Sequence, residues 1–238
     1  MVRVIGLLLL PVAVACGGTS TAGGPATPNA GAGRPRNPAD DLIRRVQDVY
    51  DDIDHLTVRF RQTSFNETFG MPSVNDGRLY FKRPDRMRWD YFSKRDRRRV
   101  IRSQISNGTI MTAVDKIGRW YYRQALSSSL LPVAMAFLTE TDRLSSEFDA
   151  RMLTGSKHGA PTDRVVELTP KRPAAQFKTL VLVVDASSFH VEKSIVTSLT
   201  GDTNEFSFSE PDTTTEVATT WFVFNAMAAV GSGFREIK

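Results

Sequence analysis

The chain has a single cysteine, Cys16, so neither a disulfide nor a cysteine-rich metal site can form within one molecule. Its three histidines, His55, His158 and His190, lie far apart, each without a second histidine or cysteine at ligand spacing, which argues against a metal centre. No Gly-x-Ser-x-Gly nucleophile motif occurs, and no glycine-rich phosphate loop leads into a helix. Residues 155–159 hold reactive residue types, but they read as a loop between a helix and a strand. The pattern therefore points away from an enzyme and from any cofactor. Long apolar runs are missing as well: residues 4–15, interrupted by Pro11, are too short to span a bilayer comfortably.

What is there is a 238-residue chain, 41% apolar, with a formal net charge of +5 that favours anionic surfaces. It begins with Arg3, a short apolar run and the small residues Ala13 and Ala15 before Cys16, which is the pattern of a secretory signal. Cys16, followed by Gly17 and Gly18, resembles a bacterial lipobox, although Ala13 stands where leucine is usual. The expectation is a signal peptide over residues 1–16 and a lipidated Cys16; the alternative is an ordinary signal with a passenger cysteine. Residues 17–38 are Gly, Ala, Thr, Pro and Asn with almost no large apolar side chain, a composition that makes a linker. As a coil it spans about 25 Å, and at most about 70 Å when pulled straight.

From residue 39 onward the chain reads as one domain. Leu42, Ile43, Val46, Val49, Tyr50 and Ile53 recur at helical spacing, with Asp40 or Asp41 as the expected cap. The period then becomes two, with Leu56, Val58 and Phe60 on one side of a strand. Leu79 and Phe81, then Met87, Trp89 and Tyr91, continue this pattern on either side of Pro84, so two half-buried strands meet at a corner that holds Arg83. Asn107-Gly108 and residues 115–118 are hairpin turns, and Trp120, Tyr121 and Tyr122 form an aromatic cluster. Residues 127–148 lose the alternation and read as one or two short helices, with Leu144 and Phe148 facing inward. Strands follow at 165–168, 177–184, 191–198, 204–208 and 221–224; the tail beyond Asn225 has no assigned conformation. The basic run of residues 94–102 reads either as a solvated loop or as a surface for anionic lipid or a partner protein. It lacks the exposed aromatics or groove-entering helix that nucleic acid requires.

Phe60 and Gln62, then the Gly77-led strand ending in Lys82-Arg83-Pro84, then the strand bearing Trp89, resemble in order and spacing the LolA family of periplasmic lipoprotein carriers. Residues 168–171, the Gly201 turn before Phe206 and Phe208, and the late Phe222 and Phe224 also fall where that family places strands. The resemblance implies a mainly β fold with helices: an incomplete, strongly curved antiparallel β-barrel whose helical lid covers an apolar cavity. It implies that acyl chains of a lipoprotein enter a cavity lined by Phe60, Leu79, Phe81, Met87, Trp89, Tyr91, Leu130, Leu131, Phe137 and Leu138. Three chains totalling roughly 45 carbons represent on the order of 35 kcal/mol of gross transfer from water, so the cargo needs an apolar host. By position, Arg83 takes the role of locking the lid, with carbonyls near residues 130–137 as its expected partners.

The partners implied are acylated lipoprotein cargo, an inner-membrane release complex and an outer-membrane receptor, with membrane attachment through Cys16 and the protein a monomer in the periplasm. An anchored receptor of the LolB type, or a general envelope lipid-binding or sensor module, is the alternative role.

Overall fold

The computed structural model describes residues 37–68, 70–128, 131–139, 143–174 and 177–237. Cys16, Leu130 and the signal and linker expectations for residues 1–36 lie outside the described residues, as does the side chain of Leu131.

Helix α1 (Pro38–Asp51) starts one turn before the expected cap. Asn37 is the N-cap, its side-chain oxygen accepting from the Ala39 N–H, and Pro38 takes the first helical position, where a missing N–H costs nothing. Asp40 and Asp41 instead occupy the first turn, where carboxylates suit the positive end of the helix. The Asn37 amide also donates to the Ala150 carbonyl at 3.0 Å, fastening the start of α1 to the sheet edge.

The sheet is hung on β1 (His55–Phe65). One wing runs from β1 through β2 (Pro72–Lys82), β3 (Arg86–Phe92), β4 (Val100–Asn107) and β5 (Ile110–Asp115) to β6 (Trp120–Ala125). The other runs through β11 (Thr203–Asp212), β10 (Val191–Ser198), β9 (Phe177–Val184) and β8 (Arg164–Pro170) to β7 (Phe148–Met152). These eleven strands are antiparallel, and the short β12 (Arg235–Glu236) adds in parallel to β6. The sheet is strongly curved and does not close, so the fold is the mainly β, incomplete barrel with helices that the sequence led one to expect.

Alternation settles which face each residue takes. Leu56, Val58 and Phe60 of β1, Leu79 and Phe81 of β2, and Met87, Trp89 and Tyr91 of β3 share one buried cluster. The same cluster takes in Leu42, Ile43, Val46 and Tyr50 of α1, and Phe137 and Leu138 of α3 (Ala136–Thr139). Between β6 and β7 lie α2 (Leu131–Ala134), α3 and α4 (Arg143–Glu147). Among the described residues this makes three short α-helices, after a 3₁₀ turn at Leu126–Ser128, where one or two helices were expected, and Phe148 opens a strand instead of closing a helix. Antiparallel pairing of Phe148 with Pro170 extends the sheet by an edge strand whose five residues are too few to show a period in the sequence.

The opposite face is covered in two places. Val165, Val181, Val183 and Ile195 pack with Leu153, and a Cβ added to Gly159 would lie 2.8 Å from Val183, so residues 153–159 form a close strap. On the other wing, Ile105, Val114 and Tyr121 are covered by Phe224, Ala226, Ala229 and Phe234. Residues 219–222 form a 3₁₀ turn and not the expected strand, followed by α5 (Ala226–Gly231), because this segment lies across the sheet and adds no rung to it. The aromatic trio of β6 is divided by the pleat: Tyr121 meets Phe224, while Trp120 and Tyr122 stack together on the other side.

Candidate functional site

Eight of the ten expected cavity residues come together: Phe60, Leu79, Phe81, Met87, Trp89, Tyr91, Phe137 and Leu138 all belong to the inner apolar cluster. Most of this body is filled. The Phe60 ring lies 5.1 Å from Trp89 and 5.2 Å from Tyr91, and Trp89 packs 4.9 Å from Phe206, tilted and edge contacts that favour aromatic pairs. Phe81 and Trp89 have no exposed surface.

The open volume lies to one side, as a cleft of about 400 Å³ bordered by Tyr50, Ile53, Leu56, Val58, Met135 and Phe137, with Phe208 of β11 opposite. Of the expected residues that are described, only Phe137 borders it. Leu56 and Val58 sit in the same alternating run as Phe60, and Phe208 repeats Phe206, so their inward direction was readable. Their place at an opening was not, because it depends on how β1, β10 and β11 curve away from α1.

The rim of the cleft is polar and comes from the β9–β10 turn, with Asp185, Ser187, Ser188 and His190, together with Glu192. The Ser187 side chain, then the N–H and hydroxyl of Ser188, donate to Asp185 and hold its carboxyl well below the usual carboxylate range. Burial, with help from Asp163 and Asp185, pushes the Glu192 carboxyl up. Asp185 therefore keeps its charge at neutral pH at the mouth of an apolar hollow.

Arg83 lies at the β2–β3 corner as expected, but its partners differ. Its Nε donates to the Ile53 carbonyl at 2.9 Å and its terminal nitrogen to the Tyr50 carbonyl at 2.6 Å, and its own N–H donates to the Asp54 carbonyl. Among the described residues, its side chain therefore bonds the last turn of α1 and the residue just beyond it, where carbonyls near residues 130–137 were expected. The Tyr50 carbonyl, which also accepts from the Asp52 and Ile53 N–H groups, stands at the negative end of the helix, where a guanidinium is well received. Tyr50 links three parts: its carbonyl is held by Arg83, its ring packs 4.8 Å from Phe137 of α3, and its hydroxyl oxygen accepts from the Val191 N–H of β10 at 3.0 Å. Burial pushes the Tyr50 phenol up to about 12, against the pull of that hydrogen bond.

Two donors inside the apolar body stand apart. Among the described residues, neither Trp89 Nε1 nor Gln47 Nε2 has a hydrogen-bond partner, although both side chains are buried. Gln62, the polar member of the expected signature, donates to the Asn204 side chain at 2.9 Å and ties β1 to β11. Among the described residues no cluster of three histidine, cysteine or acidic side chains is placed to hold a metal ion, and no helix is long and apolar enough to cross a membrane.

Solved structures with similar outlines include a LolA superfamily protein from Nitrosomonas europaea, at 12% identity and a TM-score of 0.45, over 78% of this chain and 97% of that one. A putative outer membrane lipoprotein-sorting protein domain from Vibrio parahaemolyticus gives 11% and 0.46, over 79% and 97%. The Mycobacterium tuberculosis lipoprotein LppX gives 11% and 0.42, over 75% and 97%. No curated protein sequence matches the chain. The family described as outer membrane lipoprotein carrier protein LolA matches residues 51–225, a span that takes in the Arg83 corner, the Trp89 strand and most of the cleft, and the chain belongs to the LolA family.

Proposed function

We propose that this protein binds the acyl chains of lipoproteins in its apolar interior and carries or hands them over toward the outer membrane, working from the periplasm with Cys16 as a lipid anchor. The observation that carries this reading is an apolar body closed on one side by α1 and α3, already open as a cleft at one edge, and fastened by two hydrogen bonds from Arg83. The cleft stands at the small end of the ~300–1,000 Å³ typical of ligand sites. Several acyl chains therefore require α1 and α3 to lift, exposing Phe81, Trp89 and Phe137 to the cargo. Each buried methylene contributes ~0.8 kcal/mol, so the first part of one chain in the cleft already offsets the loss of the latch. Trp89 Nε1 and Gln47 Nε2 would donate to ester or amide carbonyls of the cargo, a use for donors that otherwise lower the stability of an apolar core.

Because Cys16 favours a tether, an anchored receptor of the LolB type is the second reading; the loop of residues 93–99, rich in lysine and arginine, gives it no apolar tip. The test is to purify the mature protein from envelope extracts and identify by mass spectrometry what co-elutes. Stoichiometric acylated lipoprotein is the expected result. Phospholipid alone, together with failure to bind a purified acylated lipoprotein, would replace the carrier by a general lipid-binding module.

A further inference from the structure

The outer face of the sheet has a second concavity, about 980 Å³, across β11, β1, β2 and β3, which the acyl-chain reading does not use. Six arginines and three acidic residues line it. The strand register sets Arg59 of β1 directly opposite Arg78 of β2, a like-charge pair that costs stability unless something anionic lies near it. The three acids are engaged: Glu210 with Arg59 at 2.9 Å, Asp76 with Arg61 and Arg97, and Asp90 with Arg88 and the Ser103 hydroxyl. Among the described residues, Arg78 and Arg98 form no ion pair, yet both line the groove.

We propose that this groove docks an extended acidic segment of a partner polypeptide, its carboxylates meeting Arg59, Arg78 and Arg98. Shape decides between a chain and a bilayer. Arg97 of the β3–β4 loop reaches back to Asp76 on one side, and on the other Trp221 packs 4.9 Å from Tyr80 with Arg88 over its ring. A flat membrane would rest on these flanks, whereas an extended chain can lie between them. Arg61, Arg59 and Arg78, and Arg88 fall in three successive rows of one sheet face, so the cations stretch over about 13 Å, or roughly four residues of extended chain. A single small anion uses only part of this length. Guanidinium groups pair with carboxylates through two parallel hydrogen bonds, which gives the groove orientation as well as attraction. The chain's own leading stretch is no candidate occupant, since residues 17–37 contain two arginines and no acid.

The probe is a fluorescein-labelled ten-residue peptide of alternating glutamate and serine, titrated with the folded protein and followed by fluorescence anisotropy. Binding should weaken steeply at high salt, and a lysine–serine peptide should not bind. Arg78→Glu and Arg98→Glu should each weaken the acidic peptide roughly tenfold or more. Arg98 is exposed, so its variant keeps the fold even if Arg78→Glu does not. No binding, or binding unchanged in Arg98→Glu, overturns the proposal. So does sedimentation of the wild type, but not the variants, with phosphatidylglycerol vesicles when the peptide fails to compete. Because Arg78 and Arg98 border the groove and not the cleft, a failure here leaves the acyl-chain reading standing.

Discussion

Replacing Arg83 by leucine removes one side-chain hydrogen bond to the last turn of α1, at Tyr50, and one to Ile53 just beyond it, while leaving the backbone bond from residue 83 to the Asp54 carbonyl in place. Hydrogen bonds from a charged donor contribute ~1.5–3 kcal/mol each. Arg83 is only half-buried, so the lower figure applies to each, and the pair contributes about 3 kcal/mol. If α1 and the turn through Ile53 open together while the sheet stays folded, the opening equilibrium rises by roughly 150-fold, because each 1.4 kcal/mol is a factor of about ten. Native-state hydrogen exchange reads this directly. Amides in the last two turns of α1 should lose about two orders of magnitude of protection in Arg83→Leu, while those of β3 and β9 should change far less. Arg83→Lys, able to reach one carbonyl, should fall between. Faster entry of an apolar fluorophore should accompany the loss of protection. Unchanged protection in α1 would refute the latch, and an equal loss across α1 and the sheet would show that α1 does not open separately.

Four further outcomes follow from the structure. A Cβ at Gly77 would sit 2.3 Å from Phe60 Cζ and 2.4 Å from the Asp90 carbonyl oxygen, so Gly77→Ala should cost ~3 kcal/mol by urea unfolding. Gly231→Ala meets nothing within 4 Å and should stay within ~1 kcal/mol of the parent. Burial pushes the phenols of Tyr50 and Tyr91 up to about 12, while in the unfolded chain they titrate near 10. The unfolded state therefore loses these protons first, so their contribution is complete below pH ~10 and declines between 10 and 12, by up to ~1.4 kcal/mol per pH unit for each tyrosine. Unfolding titrations across that range should show the decline, and Tyr50→Phe with Tyr91→Phe should flatten it; an unchanged slope in the double variant would contradict the assignment. Ile53→Asp places a charge at the half-exposed border of the cleft and should weaken binding of an alkyl-chain fluorophore by roughly tenfold or more, without loss of fold by circular dichroism.

Arg83 and Trp89 show how differently a position and its surroundings can be read. Alternation is local, because successive side chains of a strand point to opposite faces whatever lies beyond, so the inward direction of Leu79, Phe81, Met87, Trp89 and Tyr91 was legible from residues 77–91 alone. The corner at Pro84 was legible for the same reason, since a ring closed on its own nitrogen restricts its immediate neighbours. Helix α1 announced its apolar stripe, but its cap was misplaced by one turn because Asn37, Asp40 and Asp41 are all competent caps, and the choice went to the residue that also bonds the Ala150 carbonyl. The extra strand β7 and the cross-lying 219–222 turn escaped the sequence reading because each owes its conformation to a distant partner, Pro170 in one case and the outer sheet face in the other.

By itself, then, the order of residues determined which side chains go inside and where the chain turns, since periodicity and turn chemistry act at short range. Only the tertiary structure decided that the interior is mostly filled with a cleft at one edge, that Arg83 grips the end of α1, and that Arg59 and Arg78 face each other across two strands. Those outcomes depend on the curvature of a twelve-stranded sheet and on the volume left between it and its helices. Both are properties of all the strands together and are not written in any one stretch of chain.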